Sequence, residues 1–132
     1  MIRGSQAGNR AHKIDFIRVE GSVIEDADGD YALMEIQKLE FNRIDVLNST
    51  FNRVSNNLIR FDTNIGDPAP EVLFDQVTVN AFGNNGRRPL FDFNSPANIV
   101  IRNSIIANSK FESARYPAPV SINASLFRVG NG

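Results

Sequence analysis

The chain contains no cysteine, no tryptophan and a single histidine. The absence of cysteine excludes disulfides, thiolate metal sites and a cysteine nucleophile. His12 lies in a polar stretch with no accompanying serine and aspartate constellation, which argues against a catalytic triad.

An excess of one charge and long apolar runs are also missing. The net charge is −1, so there is no electrostatic basis for binding nucleic acid. No apolar run approaches the ~20 residues needed to cross a bilayer. Residues 1–13 lack the apolar centre of a signal peptide. The 132 residues predict one domain that neither binds nucleic acid nor spans a membrane.

A short pattern of alternating apolar residues, a small polar pair and a further apolar residue occurs five times. It reads I-R-V-E-G-S-V-I in the first copy and I-V-I-R-N-S-I-I in the fourth. The copies, called repeats 1 to 5, start at Ile17, Ile44, Val72, Ile99 and Val120, so successive starts are 27, 28, 27 and 21 residues apart. A period in the twenties is typical of a solenoid, in which each repeat buries its apolar face against its neighbours.

Within each repeat the alternation predicts a strand with every second side chain facing the interior. A bend is predicted next, because glycine and asparagine tolerate the left-handed conformation, and an apolar residue then returns to the core. The predicted interior residues of the first strands are Ile17, Val19, Ile44, Val46, Val72, Phe74, Ile99, Ile101, Val120 and Ile122. The predicted bend residues are Gly21, Asn48, Gln76, Asn103 and Ala124, and the apolar column after them is Ile24, Phe51, Val79, Ile106 and Phe127.

A second strand is predicted at 33–36, 58–61 and 90–93, with Glu35, Arg60 and Asp92 facing outward above one another. The signs alternate along this column, which favours parallel, in-register stacking. Arg18 over Asp45 and Asp75 over Arg102 repeat this device on the first strands.

Residues 30–41 allow two interpretations. They are rich in helix formers, with Asp30 as an N-cap, and taken alone they predict a helix. Their alignment with 58–61 and 90–93 favours a strand instead.

The domain organisation follows from the repeats. We expect an N-terminal extension at 1–13, repeats over 14–109, and an irregular segment with a partial last repeat at 110–132. The prolines at 117 and 119 cannot donate to a sheet. The extension is a poor cap, and an open solenoid end favours pairing with another chain. Self-association and further domains of a longer parent protein are the expected partners.

The segments I-D-V-L-N-S-T-F-N-R-V (44–54) and I-V-I-R-N-S-I-I-A-N-S (99–109) resemble the right-handed parallel β-helix of the pectate-lyase-like superfamily. Residues 14–109 are similar to uncharacterised C-terminal β-helical domains of secreted bacterial surface and polysaccharide-utilisation proteins. The resemblance implies an all-β, right-handed parallel β-helix of about four to five coils, located outside the cell or on its surface.

Three alternative functions stay open, because the shared motif is structural and one fold carries many activities. The first is a non-catalytic module that contacts glycan or supports a neighbouring glycan-active domain. The second is a polysaccharide lyase acting on a uronate-containing glycan, and the third is a structural spacer or assembly module. The first is the favoured expectation.

The lyase alternative depends on a basic residue. Lyases of this fold use such a residue to remove a proton beside a uronate carboxyl, often with calcium held by acidic residues. Arg60 and Arg102 are the candidates, but each has a carboxylate one repeat away, at Asp92 and Asp75. We therefore predict no catalytic residue.

Calcium is the one cofactor that the sequence suggests. Asp26, Asp28 and Asp30 alternate in the first loop, and carboxylate oxygens are the ligands that calcium prefers. The loop lacks the glycine and glutamate positions of an EF-hand, so a solvated acidic turn is the favoured interpretation.

Three loops that leave equivalent points of successive repeats are predicted to bind glycan. Arginine can hold a carboxylate or sulfate bidentately, and adjacent polar loops on a rigid scaffold are where binding usually occurs. The candidate glycan-binding residues are Asp28, Asp30, Asn56, Asn57, Arg87 and Arg88.

Overall fold

The computed structural model of the chain describes residues 2–5, 12–27, 32–37, 39–54, 57–61, 69–80, 91–93, 97–107, 120–123 and 126–128. Side chains are described within these ranges except at 2–5, 12, 61, 120–123 and 126–128. Every regular element in this part of the chain is a β-strand. None of its elements is a helix of the length and apolarity that a membrane span requires.

The strands follow one another in short segments. In chain order they are β1 (Ile2–Ser5), β2 (His12–Glu20), β3 (Val23–Glu25), β4 (Ala32–Gln37), β5 (Leu39–Leu47), β6 (Thr50–Asn52), β7 (Asn57–Phe61), β8 (Glu71–Asp75), β9 (Thr78–Asn80), β10 (Phe91–Phe93), β11 (Asn98–Arg102), β12 (Ile105–Ala107), β13 (Val120–Asn123) and β14 (Leu126–Arg128).

These strands form three parallel sheets, each of which takes its strands in order from successive repeats. The first sheet is β1-β4-β7-β10, the second is β2-β5-β8-β11-β13, and the third is β3-β6-β9-β12-β14. Ile44 pairs with Ile17 on one side and with Val72 on the other, and Ile99 pairs with Val72. The predicted all-β class and the parallel stacking of repeats are confirmed, and the arrangement is compatible with a parallel β-helix.

The interior is one apolar cluster that runs through repeats 1 to 4. The predicted inward residues of repeats 2 to 4 are buried in it: Ile44, Val46, Phe51, Val72, Phe74, Val79, Ile99, Ile101 and Ile106. Ile17, Val19 and Ile24 of repeat 1 are only partly buried and pack against this cluster. The predicted inward side chains of repeat 5 lie outside the described residues. The core is thus well covered in repeats 2 to 4 and less so at repeat 1.

The first bend of repeats 1 to 4 has a left-handed backbone, as predicted. The φ angles are 60° at Gly21, 46° at Asn48, 58° at Gln76 and 50° at Asn103. Glycine and asparagine adopt this conformation at low cost, whereas glutamine does not. Gln76 was placed at a bend by its alignment alone, and Ala124 lies outside the described residues.

The serine after the bend explains the Asn-Ser pair of the repeat. Ser49 Oγ donates to Leu47 O at 2.7 Å and accepts from Ser22 N at 3.2 Å. Ser104 Oγ donates to the carbonyl of Arg102 at 2.7 Å and accepts from Val77 N at 3.1 Å. Each buried hydroxyl therefore joins its own bend to the bend of the preceding repeat.

The strand interpretation of 30–41 is confirmed for 32–37 and 39–41, which lie in β4 and β5. Met34, Ile36 and Leu39 are buried in the core cluster. Burial between neighbouring parallel strands overrides the helix propensity of the segment, which is a weak preference.

The strand β1 lies in the predicted N-terminal extension, where the repeat pattern gave no signal. It pairs in parallel with β4, with Arg3 beside Glu35 in the register. The first sheet therefore begins one repeat earlier than the apolar pattern indicates.

Candidate functional site

The outward face of the second sheet carries charges that pair across repeats 1 to 3. Arg18 NH2 lies 3.7 Å from Asp45 Oδ2, which confirms the predicted stacking of these residues. Arg43 Nε donates to Asp45 Oδ1 at 2.6 Å, and Arg43 NH1 donates to Glu71 Oε2 at 3.1 Å. A carboxylate of repeat 2 is thus held between two guanidiniums, one of which also reaches repeat 3.

Asp45 is only 3% exposed, although it is on the outward face. The hydrogen bond to its carboxylate raises the pKa of Arg43 above its ordinary value, with smaller contributions from the charges of Asp45 and Glu71. Removing the cation beside a nearly buried carboxylate would strongly destabilise the folded state, because the buried charge would be left uncompensated. These residues are therefore suited to holding the register of β2, β5 and β8.

Arg102, a candidate catalytic residue, is paired with Asp75 of the preceding repeat. Arg102 Nε and NH2 lie 2.9 and 2.8 Å from Asp75 Oδ2, and Asn103 Nδ2 donates to Asp75 Oδ1 at 3.0 Å. The Asn103 hydrogen bond, followed by that of Arg102, lowers the pKa of Asp75 below its ordinary value. The predicted cross-repeat pair is confirmed.

Arg60, the other candidate, lies between Glu35 and Asp92 on the first sheet. Its register partners are Glu35 on β4 and Asp92 on β10, as the alternating signs predict. Arg60 NH1 is 3.8 Å from Glu35 Oε1, and its Nε is 3.7 Å from Asp92 Oδ2. Gln37 Nε2 also donates to Glu35 Oε1, at 2.7 Å.

An outward position would suggest that the column of Glu35, Arg60 and Asp92 is open to solvent, but the column is largely buried. Glu35 is 1% exposed, Asp92 is 4% exposed, and the side chain of Arg60 is 13% exposed. The outward orientation follows from strand alternation, because Met34, Ile36 and Ile59 beside them lie in the core cluster. A substrate could not reach Arg60 without displacing whatever covers the column.

At the corner after the third-sheet strands, Asp26 pairs with Arg53 of the next repeat. Both residues have a left-handed backbone, with φ of 50° and 51°. Arg53 Nε and NH2 donate to Asp26 Oδ1 and Oδ2 at 2.5 and 2.7 Å. The hydrogen bond from Arg53 lowers the pKa of Asp26, and the same bond raises the pKa of Arg53.

Asp26 was one of the calcium candidates, and both of its carboxylate oxygens accept from Arg53. A calcium ion at Asp26 would therefore have to displace this bidentate pair. Asp28 and Asp30 lie outside the described residues. Within the described ranges, no three histidine, cysteine, aspartate or glutamate residues are grouped so that they could hold a metal.

A ladder of amides runs beside this corner and was not predicted. Asn80 Nδ2 donates to Asn52 Oδ1 at 3.1 Å, and Asn52 Nδ2 donates to Glu25 Oε1 at 3.2 Å. The three residues occupy the same position of repeats 1, 2 and 3, with Glu25 beside Asn52 and Asn52 beside Asn80. The recurrence of asparagine at this position is the signal that could have identified the ladder.

Of the predicted glycan-binding residues, only Asn57 is described. It is the first residue of β7 and is 1% exposed, so its placement in an exposed loop was wrong. The alignment placed the loop boundary too late, because 57 already pairs with Ala32 in the first sheet. Asp28, Asp30, Asn56, Arg87 and Arg88 lie outside the described residues.

Comparison of the chain with protein-family models, with curated proteins and with solved structures finds no match. Function therefore has to be inferred from the chain's own residues. In the described ranges, the arginines at the two candidate catalytic positions lie beside carboxylates of neighbouring repeats. Chemically, such pairs fix the register of parallel strands.

Proposed function

We propose that the chain is a right-handed parallel β-helix of the pectate-lyase-like kind. It serves as a non-catalytic module of a secreted or cell-surface bacterial protein, where it contacts glycan or supports a neighbouring glycan-active domain. The proposed β-helix fold is supported by the three parallel sheets and the single apolar cluster between them. The right hand rests on the strong preference of parallel β crossovers.

The non-catalytic assignment rests on one observation: Arg60 and Arg102 each pair with carboxylates of neighbouring repeats. A guanidinium carries its proton throughout the ordinary pH range and acts as a base only after losing it. Neighbouring carboxylates favour the charged form and oppose that loss. Arg102 lies 2.8 Å from Asp75, and Arg60 lies between two carboxylates. This geometry supports a structural role for both residues.

The order of the third sheet supports the glycan-contact part of the proposal. The loops with Asp28, Asn56 and the pair Arg87–Arg88 follow β3, β6 and β9, which are neighbours in that sheet. Adjacent parallel strands lie ~4.8 Å apart, so these loops start close together on one side of the coil. Asp28 and Asp30 contribute acidic groups, and the two arginines supply donors for a carboxylate or sulfate.

A glycan array with acidic and neutral polysaccharides tests this proposal. We expect binding of acidic glycans that weakens at raised salt and weakens about tenfold in Arg87→Ala/Arg88→Ala. Lys110→Ala/Arg115→Ala removes the same charge elsewhere and is the matched control. No binding to any glycan would contradict glycan contact and favour the spacer alternative. Formation of unsaturated product from alginate or pectate, lost in Arg102→Ala, would contradict the non-catalytic assignment.

A further inference from the structure

The end of the molecule formed by repeat 1 is open among the described residues. β1, β2 and β3 are the outermost strands of the three sheets, and no described strand pairs with their outer edges. The inward residues of β2 and β3 are only partly buried, whereas their register partners in repeat 2 are buried. The partly buried residues are Ile14, Ile17, Val19 and Ile24, and their partners are Phe41, Ile44, Val46 and Phe51.

This edge is self-complementary about Val19. Arg18 and Glu20 lie one position before and after Val19. Ile14 and Ile24 lie five positions before and after it, and Lys13 and Glu25 lie six positions before and after it. When a second copy is placed antiparallel with its Val19 opposite the first, each residue meets its counterpart across this centre. Arginine then faces glutamate, lysine faces glutamate, and isoleucine faces isoleucine.

In each proposed cross-copy pair, both residues lie on the same face of the sheet. Lys13, Arg18, Glu20 and Glu25 are exposed, whereas Val19 and the two isoleucines are partly buried against the core cluster. Because cross-strand partners in a sheet share a face, the charges would meet outside and the apolar residues inside.

The edge is interrupted at similar distances on either side of its centre. Alternation breaks at Asp15 and Phe16, which are both exposed, three to four positions before Val19. The left-handed bend at Gly21 and the following Ser22 lie two to three positions after Val19. Two antiparallel copies would therefore bring these two interruptions nearly opposite each other.

The geometry points to an end-to-end homodimer, in which two copies of this chain pair antiparallel through β2 and β3 about a twofold axis at Val19. Such an interface is closed, because the same surface of both copies is used. It would contain two Arg18–Glu20 and two Lys13–Glu25 pairs. Within one chain the contact between Glu20 and Arg18 is long, at 3.8 Å, and Glu25 accepts one hydrogen bond, from Asn52. The carboxylates of Glu20 and Glu25 can therefore accept further hydrogen bonds from a second copy.

Cysteine cross-linking tests the position of the axis, since the chain has no cysteine of its own. Cβ atoms of directly opposed residues lie ~5 Å apart, close to the spacing of a disulfide. We expect Val19→Cys to form a disulfide-linked dimer on mild oxidation. Ile17→Cys, equally inward but opposite Gly21, is the matched control and should cross-link little. Equal cross-linking of the two variants, or none with Val19→Cys, would overturn the proposal.

A charge swap at Lys13 and Glu25 tests the register independently. Sedimentation velocity of wild type should show a dimer whose fraction rises with concentration. Lys13→Glu and Glu25→Lys should each weaken dimerisation about tenfold, because each places like charges opposite one another twice. The double variant Lys13→Glu/Glu25→Lys should restore it.

The charge swap distinguishes loss of the Lys13–Glu25 pair from a loss of folding. Exchanging the two charges restores dimerisation only if the two residues face each other in the dimer. A double variant no tighter than either single variant would overturn the proposal. So would a wild-type monomer up to about 1 mM, or species larger than a dimer, which head-to-tail stacking would produce. None of these outcomes depends on glycan binding.

Discussion

At the scale of single residues, the first bend of repeats 1 to 4 depends on two adjacent positions. The first adopts a left-handed backbone, at Gly21, Asn48, Gln76 and Asn103. The second, where it is a buried serine, joins the bend to the repeat before it. Val77 breaks this series, because its side chain supplies no acceptor. The Asn-Ser motif is thus explained by backbone geometry and hydrogen bonding.

Replacing Ser104 by alanine should lower the free energy of unfolding by about 1–3 kcal/mol. The substitution removes the acceptor of the Val77 N–H, 3.1 Å away, inside a buried bend. Ser22→Ala is the matched control, because its exposed hydroxyl donates only to Glu20 O, at 3.2 Å. Urea unfolding should show a loss below about 0.5 kcal/mol for the control. Equal losses would show that the buried hydroxyl has no special role.

At the scale of strands, alternation and alignment predicted most of what the structure shows. The inward residues of repeats 2 to 4 and the cross-repeat pairs Arg18–Asp45 and Asp75–Arg102 were identified from spacing alone. Spacing suffices because side-chain direction in a strand has a period of two and register fixes the neighbours. The strand at 32–37 needed the alignment, since its own propensity favours a helix.

Burial on the outward faces could not be predicted. Asp45, Glu35 and Asp92 are nearly buried although alternation directs them away from the core. Whether an outward residue meets solvent depends on long side chains and segments that pack over the sheet, which alternation does not encode. The loop placement of Asn57 was wrong for a different reason, because the alignment set the start of β7 too late. The strand β1 was missed because its sequence, I-R-G-S, lacks the apolar alternation of the repeats.

The pair between β8 and β11 should make stability depend on acid pH. The pKa of Asp75 is lower in the folded state, through Asn103 and Arg102, so its ionised form favours folding. This contribution is present above the ordinary aspartate pKa of about 3.9 and is lost as the pH falls through the lower folded pKa. Urea midpoints of wild type should fall with acid more steeply than those of Asp75→Asn. Identical pH profiles would contradict the role of this carboxylate.

At the scale of the whole molecule, stability comes from one core shared by successive repeats. Phe51 is 1% exposed within that core, whereas Phe16 is 45% exposed at its open end. Phe51→Ala should lower the free energy of unfolding by about 3–5 kcal/mol, because it leaves a cavity between stacked side chains. Phe16→Ala, the matched control, should cost less than about 1 kcal/mol. A small loss at Phe51 in chemical denaturation would place it outside the core.

The central claim is that successive repeats stack as parallel strands in register. Nuclear Overhauser effects between backbone protons in solution test it most directly, because they report which strands are neighbours and in which direction. Val72 should show parallel-type contacts with the strands of Ile44 and Ile99, its register partners on either side. Antiparallel contacts for these three strands, or contacts of Val72 with neither partner strand, would contradict the account.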